Sequence, residues 1–241
     1  MEIIVKKTGE EVDATAAALV AAVVRDQPEQ LLVFPTGNTP LGLYKRLVEI
    51  VFHKELCFAA AHIIELDEYM GIADDDPRNL YQWLKQALLD HIDIPEHHCH
   101  RFHAASEDID AQCRHMDEII QDHGGIDLLV LGLGPNGHLG FNEPGSPFDA
   151  PTRVINLTPA SLQSSANYWG DINQVPKQGL TLGMKALSQA KKTILLVKGE
   201  NKAGILKETM QGEITPEIPA TLLRTMQNVT VIVDREAAII L

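Results

Sequence analysis

Apolar residues in this chain gather into short unbroken runs set between longer stretches of helical spacing. The runs at 30–34, 128–131 and 193–197 do not alternate with polar residues, which predicts strands buried on both faces. Residues 62–66 and 229–233 predict two more strands, and 154–157 and 179–182 two short ones. Between them, residues 11–25 carry Val12, Ala16, Leu19, Val20, Val23 and Val24 at the spacing of one helical face. Further helices are expected over 41–51, 78–90, 107–123 and 159–168, and from Lys202 to Met210. Asp74-Asp75-Asp76-Pro77 is read as the cap of the helix that starts at Arg78. Strands alternating with helices, without repeats or a linker, predict one α/β domain over 1–241. Its sheet is expected to be doubly wound, mostly parallel and Rossmann-like, with helices flanking it.

The 45% hydrophobic content is enough to fill such a core, and the net charge of −13 narrows the partners. It argues against nucleic acid or an anionic membrane as a general partner. An anionic substrate would have to be held by local donors against an unfavourable overall field. Cys57, Cys99 and Cys113 show no CxxC spacing and read as reduced thiols. With no apolar signal core and no long apolar run, a soluble, cytoplasmic protein is expected.

Candidate chemistry follows the buried runs. Leu128–Leu131 leads into Gly132, Gly134 and Gly137, then His138, Asn142 and Glu143, as at the carboxyl end of a parallel strand. Gly132-x-Gly134-x-x-Gly137 matches a dinucleotide fingerprint, but Pro144 and Gly145 stop the helix that fingerprint requires, and no acid stands near Leu157. The run at 30–34 leads into Pro35-Thr36-Gly37-Asn38-Thr39-Pro40 before a helix. That turn is either an anion nest or a plain helix start with Thr39 as cap. Glu65, Asp67 and Glu68 close the next strand, either as a solvated rim or as a general base whose neighbours raise its pKa. His97, His98, His100 and His103 suggest a metal site, but their spacing fits no zinc pattern and reads better as a solvated loop.

Four stretches taken in order give a resemblance to one family. PTGNTPLGLY (35–44), LDEYMGI (66–72), LGLGPNGHLGFNEPGS (131–146) and GLTLGMKALSQAKKTILLVKGENKA (179–203) closely resemble the glucosamine-6-phosphate deaminases. The resemblance implies an enzyme that isomerises and deaminates an amino-sugar 6-phosphate, and the carboxylate–histidine set without a convincing metal site predicts that it uses no metal and no cofactor. The resemblance assigns the phosphate to Thr36, Gly37, Asn38, Thr39 and Lys202, and proton transfer between C2 and C1 to Asp67. Ring opening falls to His138, with Glu143 as its carboxylate partner. Taken singly, Lys202, His138 and Glu143 also read as a surface lysine, a packed turn residue and a rim acid.

Two positions depart from the family. Asn136 stands where some members place an aspartate, so Glu143 alone supplies negative charge to His138. Ala166 stands where the family has a phosphate-binding arginine, which leaves Lys198 or Arg153 as candidate substitutes. Ile155 occupies the position of the effector-binding lysine of larger hexameric members, so an allosteric hexamer is not expected, and the oligomeric state stays open. Galactosamine-6-phosphate isomerases share the NGHLG and TLG pattern, which leaves the C4 epimer as an alternative substrate. A 6-phosphogluconolactonase is more remote, because its histidine is followed by a different run from Phe141-Asn142-Glu143-Pro144. A non-catalytic sugar-phosphate sensor is more remote still, because Asp67, His138 and Glu143 are all present.

Overall fold

Unbroken apolar runs become the central strands, and the stretches of helical spacing become the helices that cover them. The computed structural model describes residues 1–241. In chain order the elements are β1 (Glu2–Lys6), α1 (Gly9–Asp26), β2 (Leu31–Phe34), α2 (Leu41–Phe52), β3 (His62–Glu65) and β4 (Asp67–Tyr69). Then come α3 (Leu80–Ala87), β5 (Cys99–His100), α4 (Ile109–Asp122), β6 (Leu128–Gly132), β7 (Arg153–Asn156) and α5 (Pro159–Trp169). The chain ends with β8 (Gln178–Thr181), α6 (Met184–Ser188), β9 (Lys192–Val197), α7 (Ala203–Gln211) and β10 (Val229–Asp234).

Seven strands form one parallel sheet in the order β1-β10-β9-β6-β2-β3-β5. Period-two alternation divides its side chains between two cores. Leu32, Phe34, Leu128, Val130, Ile194 and Leu196 pack with α1, α2 and α3 on one face. Leu31, Val33, Leu129, Leu131, Leu195 and Val197 pack with α4 and α7 on the other. This is the doubly wound, mostly parallel sheet that the strand–helix alternation predicts.

Three local expectations need correction. β1 was not expected; it pairs only with β10 at the sheet edge, and Glu2, Ile3 and Val5 are exposed, so it lacks a buried run. The strand expected over 62–66 is two strands: β3 stays in the main sheet, while β4 joins an antiparallel sheet with β8 and β7. Leu66 is the joint, with its carbonyl accepting from the Leu182 N–H at 2.9 Å. The cap of α3 is Asn79, whose side chain accepts from the Gln82 N–H, rather than the aspartates before it. Asp76 instead binds Arg78, and Asp74 binds Arg101 and His103.

Candidate active site

Strand order reverses between β2 and β6, which lie side by side while the chain proceeds outward from each. Open α/β sheets bind ligands in the crevice beyond the strand ends at such a reversal. A cleft of about 290 Å³ lies there. Its walls are the turn after β2, Asp67, the turn after β6 and Lys202 beyond β9, together with Trp83, Ser164, Ser165 and Tyr168. No helix starts at Gly137, so the glycines after β6 open a turn and not a dinucleotide-binding helix.

In the turn after β2, Gly37 has φ 93°, in the left-handed region where a side chain would be strained. The Tyr44 hydroxyl donates to the Pro35 carbonyl and fastens the turn to α2. The N-cap position of α2 is Pro40, which makes no side-chain cap bond. Thr39 therefore does not cap the helix, and the first-turn N–H groups are left without a side-chain acceptor. Backbone donors and the positive end of a helix dipole in that arrangement can accept an anion.

Lys202 completes this end of the cleft. Its Nζ donates to the Leu133 carbonyl at 2.8 Å, no carboxylate pairs with it, and burial lowers its pKa. It is the only cation among the cleft residues. Neither suggested substitute for the missing arginine reaches the cleft. Lys198 is held by Asp13, and Arg153 donates to Asn142 Oδ1 at 2.9 Å and Ser146 Oγ at 2.8 Å. Ala166 lies on α5, whose contribution to the wall is the neutral set Ser164, Ser165 and Tyr168.

The three carboxylates around Leu66 are buried rather than solvated. Glu68 accepts from the N–H groups of Tyr69 (2.7 Å), Leu80 (2.8 Å) and Tyr81 (3.3 Å), so it anchors the start of α3. Glu65 accepts from the Phe102 N–H at 2.9 Å, and burial followed by the charge of Glu68 pushes its pKa well up. Asp67 is the one that lines the cleft, and its Oδ1 has no hydrogen-bond partner. Burial first, then the charge of Glu68, raises its pKa to about 7. A carboxylate with that pKa and a free oxygen is matched to moving protons near neutral pH.

His138 packs so closely on Gly134 that a Cβ at position 134 would lie 2.0 Å from its Cδ2. Its Nδ1 is 3.1 Å from Ser161 Oγ and 3.5 Å from Glu143 Oε2. Glu143 accepts from Asn136 Nδ2 at 2.9 Å, and from the Thr158 N–H and hydroxyl, each at 3.1 Å. Burial works against the Glu143 charge. Hydrogen bonds from His138, Ser161 and Asn136 outweigh it and hold the pKa at about 2. Asn136 and Glu143 thus stand behind the imidazole, while His138 itself faces the cleft.

Ser161 and Thr158 are site residues that the sequence did not single out. Both arrive with the start of α5, where Thr158 is the N-cap and Pro159 follows. The Thr-Pro pair marks the helix start, but nothing local marks which loop that start will meet. The histidines at 97–103 do not form one cluster either, because His103 is bound to Asp74 at 2.6 Å.

A family model described as glucosamine-6-phosphate isomerases/6-phosphogluconolactonase matches residues 6–232. Glucosamine-6-phosphate deaminase of Bacillus pumilus (strain SAFR-032) is 38% identical over 237 residues, covering 98% of each chain. The enzyme of the same name from Thermoanaerobacter sp. (strain X514) is 37% identical over 99% of this chain and 94% of its own. A solved monomeric glucosamine-6-phosphate deaminase superposes with a TM-score of 0.97 at 33% identity, covering 100% of both chains. A 6-phosphogluconolactonase from Trypanosoma cruzi shares the fold at a TM-score of 0.79 and 22% identity, over 100% of this chain and 96% of its own.

Proposed function

The chain belongs to the glucosamine-6-phosphate isomerase/6-phosphogluconolactonase family, and we propose that it is the deaminase, converting glucosamine 6-phosphate and water to fructose 6-phosphate and ammonia. Asp67 carries this reading: a buried carboxylate with a free oxygen and a pKa near 7, in the same cleft as His138.

The phosphate docks on the turn from Thr36 to Thr39, with Gly37 and Asn38 contributing at close range, against the N-terminus of α2 and Lys202. This fixes the sugar so that its C1–C2 end reaches Asp67 and His138. His138 carries the proton of the C1 hydroxyl to the ring oxygen and opens the pyranose. Glu143, kept ionised by Asn136, Thr158 and Ser161, fixes the tautomer and stabilises the ring when it is charged. Asp67 then abstracts the C2 proton, giving an enolamine, and returns a proton to C1. The resulting C2 iminium adds water and releases ammonia, leaving the ketose. Proton transfers among groups of this chain, substrate and water accompany ring opening, isomerisation and the exchange of ammonia for water at C2.

The cleft draws residues from both sheets, which supports reading the chain as one unit that carries the site. The lactonase alternative is less well supported, since its solved members share only the fold. Ammonia and fructose 6-phosphate formed in equal amounts from glucosamine 6-phosphate would support the proposal. Turnover of galactosamine 6-phosphate in preference, or of 6-phosphogluconolactone alone, would replace it.

A further inference from the structure

A second constellation of titratable side chains lies at the other end of β3. His62 opens that strand, and His100 ends β5, the edge strand of the main sheet. His100 is the cross-strand partner of Ile64, and residues two apart share a face, so both imidazoles stand on the α4 side of the sheet. His123, the C-cap of α4, brings a third ring to within 4.5 Å of His62 and 5.8 Å of His100, centroid to centroid. His62 Nδ1 and His100 Nε2 are 3.0 Å apart. One ring nitrogen from each of the three lies within 4.8 Å of the others.

No carboxylate bonds to any of these rings, and across the 3.0 Å contact one of the His62 and His100 nitrogens donates to the other, a proton that a bound metal would displace. Nδ1 of His123 is engaged by the Ile119 carbonyl at 2.8 Å, which leaves Nε2 as its lone-pair nitrogen. A bond of that kind fixes the tautomer and aim of a metal-bound imidazole. Burial, then the neighbouring histidines, lowers the pKa of His62 and takes that of His100 to about 4.

We propose that His62, His100 and His123 form a binding site for a divalent transition metal of the zinc class. It ties the edge strand β5 to β3 and α4 and takes no part in the reaction. Three imidazoles with no hard oxygen ligand suit zinc, nickel or copper rather than calcium or magnesium. Tetrahedral zinc with Zn–N bonds of about 2.0–2.1 Å places its ligand atoms about 3.4 Å apart. The His62–His100 pair has only to open by a few tenths of an ångström, and His123 to close by turning its ring. Water or His98, whose ring stacks on His62 at 4.0 Å, takes the fourth position. β5 has two residues, and the chain just beyond it supplies the Phe102 N–H that holds Glu65. An occupied site therefore braces the strand pair that carries the buried Glu65.

The test is a calorimetric titration of metal-free protein with Zn²⁺, followed by melting curves and by the visible spectrum of the Co²⁺ form. One equivalent is expected to bind, raise the melting temperature and give tetrahedral cobalt bands without thiolate absorption. His62→Asn and His123→Gln should each weaken Zn²⁺ binding by about 100-fold or more, since even outer-shell changes cost about 10–100-fold. His103→Asn should leave it unchanged. His123 sits at a helix end, so its variant carries the test if His62→Asn fails to fold. Absence of saturable binding, binding that survives both variants, or a thiolate band from Cys99 would overturn the site. Turnover that disappears as the metal is stripped would overturn its remoteness from the reaction.

Discussion

Asn136 donates from Nδ2 to Glu143 Oε2 at 2.9 Å, so a neutral side chain keeps a single carboxylate ionised behind His138. Asn136→Asp replaces that donor with a second negative charge at contact distance, and like charges raise each other's pKa. Glu143 should then titrate above its present value of about 2, and the acid limb of kcat/KM should move to higher pH. Carboxyl NMR titration and a pH–rate profile check both. A profile that superposes on the wild type would mean that the charge on Glu143 does not set turnover.

Ser161→Ala removes the hydroxyl that lies 3.1 Å from His138 Nδ1 and is closer to it than Glu143. A lost hydrogen bond of this kind costs about 0.5–1.5 kcal/mol, which is roughly 2- to 13-fold in kcat. KM should change little, because Ser161 does not line the cleft. Ser161→Thr keeps the hydroxyl and should recover most of the rate. Failure of that rescue would assign Ser161 to packing.

Lys202→Ala is expected to act on binding. A charge-assisted bond to phosphate contributes roughly 1.5–3 kcal/mol, or about 10- to 150-fold in affinity. No other cation lines the cleft, so the rise in KM should sit toward the upper end. An unchanged KM would show that the phosphate lies elsewhere.

Asp67 should also be visible in stability. Its folded pKa of about 7 lies above the ordinary 3.8, so the folded state binds more protons between those values and stability falls as pH rises through them. The stability is fully present below about pH 4 and is lost as pH passes about 7. Asp67→Asn removes this dependence. It should raise stability above pH 7 by an upper limit of about 4 kcal/mol, read as a higher melting temperature, and the difference should vanish near pH 4. Parallel stability–pH curves for the two proteins would contradict the raised pKa.

Much of this was legible in the sequence because buried parallel strands write unbroken apolar runs. The runs ending at Phe34, Leu131 and Val197 became β2, β6 and β9, and the glycine-bearing turns that followed the first two became the cleft floor. β1 escaped because an edge strand with one neighbour need not be buried. The joint at Leu66 escaped because a change of sheet leaves the apolar pattern continuous. Lys198 and Arg153 looked available for phosphate because a cation's partner, here Asp13 or Asn142 and Ser146, is set by tertiary contact. Ser161 reaches His138 for the same reason, across a chain separation that no motif spans.

The most direct measurement follows the C2 hydrogen of glucosamine 6-phosphate in deuterated water, with wild-type protein and Asp67→Asn. The wild type should release one ammonia per sugar and leave deuterium at C1 of fructose 6-phosphate. Asp67→Asn should bind the substrate with little change, lose about 10²–10⁴-fold in turnover and exchange no C2 hydrogen. Exchange at a near wild-type rate in Asp67→Asn would contradict Asp67 as the base and move the role to Glu65 or Glu68.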